Sequence, residues 1–124
     1  MACVLLIEDD TDLRFSLAGI LQHAGHQAFE ASDGKRGLAL VDEKHPDLVV
    51  SDIVMAEMEG ISTILALREK HMQLPILAIS GNPFYLNNAE QLGANASLLK
   101  PFSSETFLET VNCLLRNPVV SETA

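Results

Sequence analysis

Six side chains able to do chemistry stand directly after short apolar runs. Glu8, Asp9 and Asp10 follow residues 2–7, Asp52 follows 48–51, Ser80 follows 76–79, and Lys100 follows 96–99. Were the acids to meet, they would repel one another. Two unit charges about 4 Å apart cost roughly 4 kcal/mol at an effective dielectric near 20. Such a cluster must take up protons or bind a cation. Oxygen ligands at few positions suit Mg²⁺, which keeps several waters and accepts phosphate oxygens. A cation there makes phosphate welcome. Asp52 would be the nucleophile that becomes an acyl phosphate. Lys100 would offer one phosphate oxygen a compact positive charge, and the Ser80 hydroxyl would donate to another.

Each residue taken singly also has a plain structural role. Glu8, Asp9 and Asp10 suit the start of a helix, where acids favour the dipole, and Asp10 reads as a cap rather than a ligand. Asp52 could begin a loop. Ser80-Gly81 could be a turn, and Lys100 a solvated lysine before Pro101. Their joint placement after four different apolar runs is what these roles leave unexplained.

That placement needs a scaffold that brings the run ends together. Residues 2–7 read as a buried strand, and Asp10-Thr11-Asp12 offers caps for a helix with Leu13, Leu17, Ile20, Leu21 and Ala24 at helical spacing. Gly25 stops it. Residues 27–31 read as a weaker strand near an edge, and a helix of about ten residues follows from near Gly34 to before Pro46. The strand 48–51 leads through a loop, 52–60, into a helix carrying Ile61, Ile64, Leu65 and Met72. Pro75 opens the strand 76–79, and Asn82-Pro83 caps a helix that ends at Gly93. Residues 96–99 form a fifth strand. Ser103 or Ser104 caps a last helix with Phe107, Leu108, Val111, Leu114 and Leu115 inward.

Continuous apolar strands imply burial on both faces, and strands alternating with helices imply a parallel sheet with right-handed crossovers. The expectation is an α/β fold with a doubly wound five-stranded parallel sheet, order 2-1-3-4-5, of the flavodoxin-like kind. In that order the first and third strands are neighbours at the switch point. The acids then converge there, with Ser80 and Lys100 on the adjoining strands.

With 124 residues, 48% of them apolar, the chain can bury one core. The expected domain spans 1–117, with 118–124 as a polar tail. The longest apolar stretches fall far short of the ~20 residues of a membrane-spanning helix. No secretory signal pattern opens the chain, which points to the cytoplasm. The formal charge is −9, and Lys and Arg are scattered singly, which argues against direct nucleic-acid binding. Cys3 and Cys113 read as buried thiols. His23, His26, His45 and His71 lack metal-site spacing and read as surface or partly packed residues. Met55, Met58 and Met72 read as packing residues, and Glu57 and Glu59 as part of a solvated loop.

Four stretches, in order, carry a family resemblance: Val4-Leu5-Leu6-Ile7-Glu8-Asp9-Asp10, Ser51-Asp52-Ile53-Val54-Met55 through Gly60, Ala78-Ile79-Ser80-Gly81, and Leu99-Lys100-Pro101-Phe102. From Cys3 to about Arg116 the chain resembles the receiver domain of two-component response regulators, and is similar to the chemotaxis receiver. The resemblance implies that Asp9 binds Mg²⁺ directly and Glu8 mostly through water. It implies that Asp52 is the phosphoacceptor and touches the metal, that the Val54 carbonyl is a further ligand, that Ser80 is the switch hydroxyl, and that Lys100 is the family's lysine. It also implies a cis Lys100–Pro101 bond. The partner would be a sensor histidine kinase or histidine phosphotransfer protein. The chain would be no conventional enzyme, but a phosphoacceptor that takes part in its own phosphorylation and slow autodephosphorylation, as a monomer or weak homodimer.

Other readings weigh less against the residues. A phosphatase of the haloacid-dehalogenase type would carry an acid where Val54 stands. A flavodoxin-like cofactor site would not line its phosphate loop with Glu8, Asp9, Asp10 and Asp12. A phosphorylation-independent interaction module draws support only from Ser97, which stands where many receivers carry a switch aromatic. Ala56 stands where the family often has proline, which loosens the loop after Asp52. Val54 has no side-chain hydrogen bond to offer an attacking water. Phospho-Asp52 is therefore expected to hydrolyse more slowly in the parent chain than in Val54→Asn; a time course of phosphate loss with equal or faster decay in the parent would contradict this.

Overall fold

The computed structural model describes residues 2–53 and 59–116. Five strands alternate with five helices: β1 Cys3–Ile7, α1 Thr11–His23, β2 Gln27–Ala31, α2 Gly34–Lys44, β3 Leu48–Asp52, α3 Glu59–Lys70, β4 Ile76–Ser80, α4 Pro83–Leu92, β5 Ala96–Leu99 and α5 Ser104–Arg116. All strand pairs are parallel, in the order β2-β1-β3-β4-β5, as the sequence pattern predicts. β1, β3 and β4 lie inside the sheet and are almost wholly buried, while β2 and β5 form its edges.

The continuous apolar strands divide their side chains between two cores. Leu5, Ile7, Val49, Ile76 and Ala78 pack on one face with Leu40 and Val41 of α2, Ile64 and Leu67 of α3, and Leu86 and Ala89 of α4. Val4, Leu6, Leu48, Val50, Leu77 and Ile79 pack on the other with Leu17 and Leu21 of α1 and Phe107 and Val111 of α5. Alternate residues thus serve opposite faces, which is why these strands stay apolar until Ser51 and Asp52 close β3 and Ser80 closes β4.

The helix starts follow their capping chemistry. Asp10 accepts from the amides of Asp12 and Leu13 at 3.1 and 3.2 Å, and Asn82 accepts from Phe84 at 2.9 Å with Pro83 opening α4. Ser103 is the residue that caps α5, accepting from the Thr106 amide at 3.0 Å. Asp33 caps α2 through the Arg36 amide at 2.7 Å. Gly25 and Gly93 adopt positive φ after α1 and α4, a conformation open to glycine at little cost.

Several sequence expectations need correction. Cys3 is half-buried and Cys113 exposed, because Cys113 lies two residues past inward-facing Val111 and so on the outer side of α5. Met72 falls beyond the end of α3 and is 72% exposed, and Leu65 is 49% exposed; neither is a packing residue. His23 and His45 are exposed and His26 and His71 partly buried, as expected. The expectations for Val54, Met55, Ala56, Glu57, Met58 and the tail from 118 lie outside the described residues.

Arg68, near the end of α3, ties the far side of the sheet together. Its guanidinium donates to the carbonyls of Gly93, His71 and Leu74 at 2.9, 2.8 and 2.7 Å and to Asn95 Oδ1 at 2.8 Å. Asn95 Oδ1 also accepts from the Ile76 amide at 2.8 Å. One side chain thus satisfies orphan carbonyls at two helix ends.

α3 sits directly on the peptide that follows β3. A Cβ on Gly60 would stand 2.3 Å from Ile53 Cα and 2.6 Å from the Asp52 carbonyl oxygen, both backbone atoms. A Cβ on Gly37 would instead meet Ile7 Cδ1 at 2.4 Å, the end of a side chain. Gly60→Ala should therefore destabilise by about 3 kcal/mol or more, and Gly37→Ala by about 1–2 kcal/mol after the gain in helix propensity. Urea unfolding of both variants checks the order; an equal or smaller loss for Gly60→Ala would contradict the close packing of α3 on β3.

Candidate functional site

Strand register brings the acids together. Ile7 lies beside Ser51, so Glu8 and Asp52 are the next residues of neighbouring strands. Asp52 lies beside Ile79 and Ser80 beside Leu99, so Lys100 follows on the outer strand. The backbone continues the pattern past the strand ends: the Glu8 amide donates to Ala31 O at 3.0 Å, Ile53 to Ile79 O at 3.1 Å, and Lys100 to Ser80 O at 2.8 Å. The Lys100–Pro101 bond is cis, as the resemblance implies.

Lys100 is the cation that makes the arrangement tolerable. Its Nζ lies 3.0 Å from Glu8 Oε1 and 2.8 Å from Asp52 Oδ2. Glu8 is 1% exposed and Asp52 4% exposed, so these contacts are poorly screened by water. The second Glu8 oxygen accepts from the Asp10 amide at 3.1 Å. Burial pushes the Glu8 carboxyl up to about 7, and Asp52 pushes the same way, while the Asp10 amide and Lys100 pull against them. Burial alone would lower the Lys100 ammonium, but its hydrogen bonds and charge contacts with Asp52 and Glu8 outweigh this and raise it.

Asp9 stands exposed at the mouth. One carboxylate oxygen from each of Glu8, Asp9 and Asp52 lies within 4.8 Å of the others. An all-oxygen set with one wet and two dry members, carrying more negative charge than Lys100 offsets, fits a hard divalent cation with water in its remaining positions. Asp10 is a cap and not a member of the group. Val54 is outside the described residues.

Ser80 is wholly buried, and its Oγ accepts from the Asn82 amide at 3.0 Å. A hydroxyl accepting in this way still has a proton to donate. Ser97, half-buried on β5, donates its hydroxyl to Glu90 on α4, so a polar link occupies the place where the resemblance leads one to look for an aromatic. Tyr85 packs edge-on to Phe84, and Phe102 stacks on Phe107.

Sequence reasoning missed Arg14. Its guanidinium donates to the Glu8 carbonyl at 2.8 Å and pairs with Glu30 Oε1 at 3.1 Å. The available signal was a lone cation one turn into a helix that begins with acids.

Comparison with known proteins agrees with this geometry. A family model described as the response regulator receiver domain matches residues 4–112. The transcriptional regulatory protein PhoP of Escherichia coli K12 is 32% identical over 115 residues, covering 91% of this chain and 52% of that protein. The chain spans about half the length of the curated relatives it matches. Among solved structures, the chemotaxis response regulator CheY4 of Vibrio cholerae is 31% identical with a TM-score of 0.85, covering 92% of this chain and 98% of that one. The receiver domain of NtrX from Brucella abortus is 29% identical with a TM-score of 0.87, covering 92% and 98%. No helix among the described residues is long and apolar enough to cross a membrane. The chain belongs to the response regulator receiver domain family of two-component systems.

Proposed function

We propose that Asp52 accepts a phosphoryl group from the phosphohistidine of a sensor histidine kinase or histidine phosphotransfer protein, with Mg²⁺ held by Glu8, Asp9, Asp52 and the Val54 carbonyl. The observation that carries this reading is the single ammonium of Lys100 bridging Glu8 and Asp52 beside a third carboxylate. In the reaction a carboxylate oxygen of Asp52 bonds to phosphorus as the imidazole nitrogen–phosphorus bond breaks, and the imidazole leaves. Bound Mg²⁺ supplies charge neutralisation for the phosphoryl oxygens. Lys100 holds another phosphoryl oxygen, and the Ser80 hydroxyl donates to a third.

Ser80 is also the route to signalling. Its oxygen holds the amide of Asn82, the cap of α4. Turning that hydroxyl toward a phosphoryl group disturbs the start of α4 and favours a second arrangement of α4, β5 and α5, a population shift driven by differential contacts. The chain acts as a switch that helps its own phosphorylation and slowly loses the phosphate, not as a turnover enzyme. We assign the receiver unit to 1–117 and the polar tail to 118–124, acting in the cytoplasm as a monomer or weak homodimer. Its charge of −9 disfavours direct contact with nucleic acid.

Incubation with acetyl phosphate and Mg²⁺, read by intact mass, should add one phosphoryl group to the unaltered chain. Asp52→Asn should gain none, and EDTA should block the gain. Addition of phosphate to Asp52→Asn would refute the assignment.

Glu8 ties metal-free stability to pH. Its pKa in the folded chain is about 7 against an ordinary 4.5. The stability it contributes is complete below about 4.5 and lost as pH rises through 7. In EDTA, the melting temperature of the unaltered chain should fall between pH 5 and 7.5 relative to Glu8→Gln, and Mg²⁺ should recover the loss. Parallel melting curves for the two chains across that range would show that Glu8 is not held protonated by its surroundings.

A further inference from the structure

Arg14 stands at the rim of an acidic mouth. It carries a positive charge, which a divalent cation bound there would repel. Yet it is not turned out to water: its side chain is 16% exposed, with Nη1 on the Glu8 carbonyl at 2.8 Å and Nε on Glu30 Oε1 at 3.1 Å. The contacts explain its place. The Glu8 carbonyl belongs to the peptide joining Glu8 to Asp9, and a peptide moves as a rigid plane. The preceding plane is fixed by the Glu8 amide on Ala31 O, the following one by the Asp10 amide on Glu8 Oε2, and the Arg14 amide closes the first helical turn on Asp10 O at 2.9 Å. The guanidinium is the contact that holds the carbonyl of the Glu8–Asp9 plane, and that plane helps set the direction in which exposed Asp9 leaves the chain.

We propose that Arg14 is a positioning residue for the cation site: its guanidinium, anchored on Glu30, fixes the Glu8–Asp9 peptide and so holds the Asp9 carboxylate within reach of Glu8 and Asp52. This rests on the reading of the acidic mouth as a Mg²⁺ site. Alignment and charge make opposite demands here, which gives the assignment a distinguishing sign. A bystander cation, once removed, leaves a more negative mouth that binds Mg²⁺ more tightly. A positioning cation, once removed, leaves a misaligned ligand that binds Mg²⁺ less tightly. Lysine keeps the charge but loses the planar fork that engages two partners at fixed geometry, so Arg14→Lys isolates alignment from charge.

The test is the dissociation constant for Mg²⁺ alone, by isothermal titration calorimetry on the unphosphorylated chain at constant ionic strength, with melting in EDTA to establish folding. Partners behind metal ligands typically contribute about tenfold or more in affinity. Arg14→Met should weaken Mg²⁺ binding by about that factor, and Arg14→Lys should weaken it measurably with no change in formal charge. Should Arg14→Met fail to fold, Arg14→Lys decides the matter alone. Binding by Arg14→Lys equal to the unaltered chain, or by Arg14→Met equal or tighter, overturns the assignment and leaves the Mg²⁺ site standing. Absence of Mg²⁺ binding in the unaltered chain overturns the site itself and the role of Arg14 with it.

Discussion

Carboxylates gathered at a dry strand mouth with too little positive charge are the constraint on which the rest of this structure turns. A parallel sheet gives no freedom to avoid the crowding: neighbouring strands in register end together, so residues that follow them meet. Glu8 and Asp52 are out of water and share one ammonium. A buried charge is tolerated only when paired and hydrogen-bonded. Lys100 can serve two acids at once, but it cannot cancel three. Burial, with a smaller push from Asp52, raises the proton affinity of Glu8, and a divalent cation would offset the same cost of holding acids out of water.

The surrounding backbone is arranged to hold this unfavourable cluster in place. Asp10 spends its side chain on the start of α1 and its amide on Glu8, so local helix capping and site geometry share one residue. Gly60 lets α3 close over the peptide after Asp52. On the outer side, the Lys100 amide bonds to Ser80 O, which fixes where the lysine leaves β5. The rigidity of the mouth therefore comes from hydrogen bonds that each element would make in any case, placed so that they restrain the acids as well.

The sheet and its order were readable because burial on both faces leaves β1, β3 and β4 apolar up to at most their last two residues, and because Asp10, Asn82 and Gly93 mark helix ends chemically. Glu8, Asp9, Asp52, Ser80 and Lys100 were readable because strand ends in this topology point to one place. The misreadings share a cause. Met72, Leu65 and Cys113 are apolar residues whose exposure depends on where a helix ends or how it is rotated, which composition does not reveal. Arg14, Arg68 and the Ser97–Glu90 link act through partners at no regular spacing, most of them backbone carbonyls, and a carbonyl carries no residue-type signature. Polar contacts to the main chain are thus the part of a site that a sequence pattern hides best.

The anchorage at Arg68 has a mechanical consequence for α4. Its guanidinium grips Gly93 at the trailing end of that helix and Asn95 just beyond, whereas the leading end begins at Asn82, bonded to Ser80 at the mouth. A rod pinned at one end turns about the pin, so its displacement grows with distance from it. Any tilt of α4 is consequently amplified toward Phe84, two-thirds exposed near that tip, so a displacement too small to disturb the sheet becomes a visible change in the apolar surface offered to other molecules.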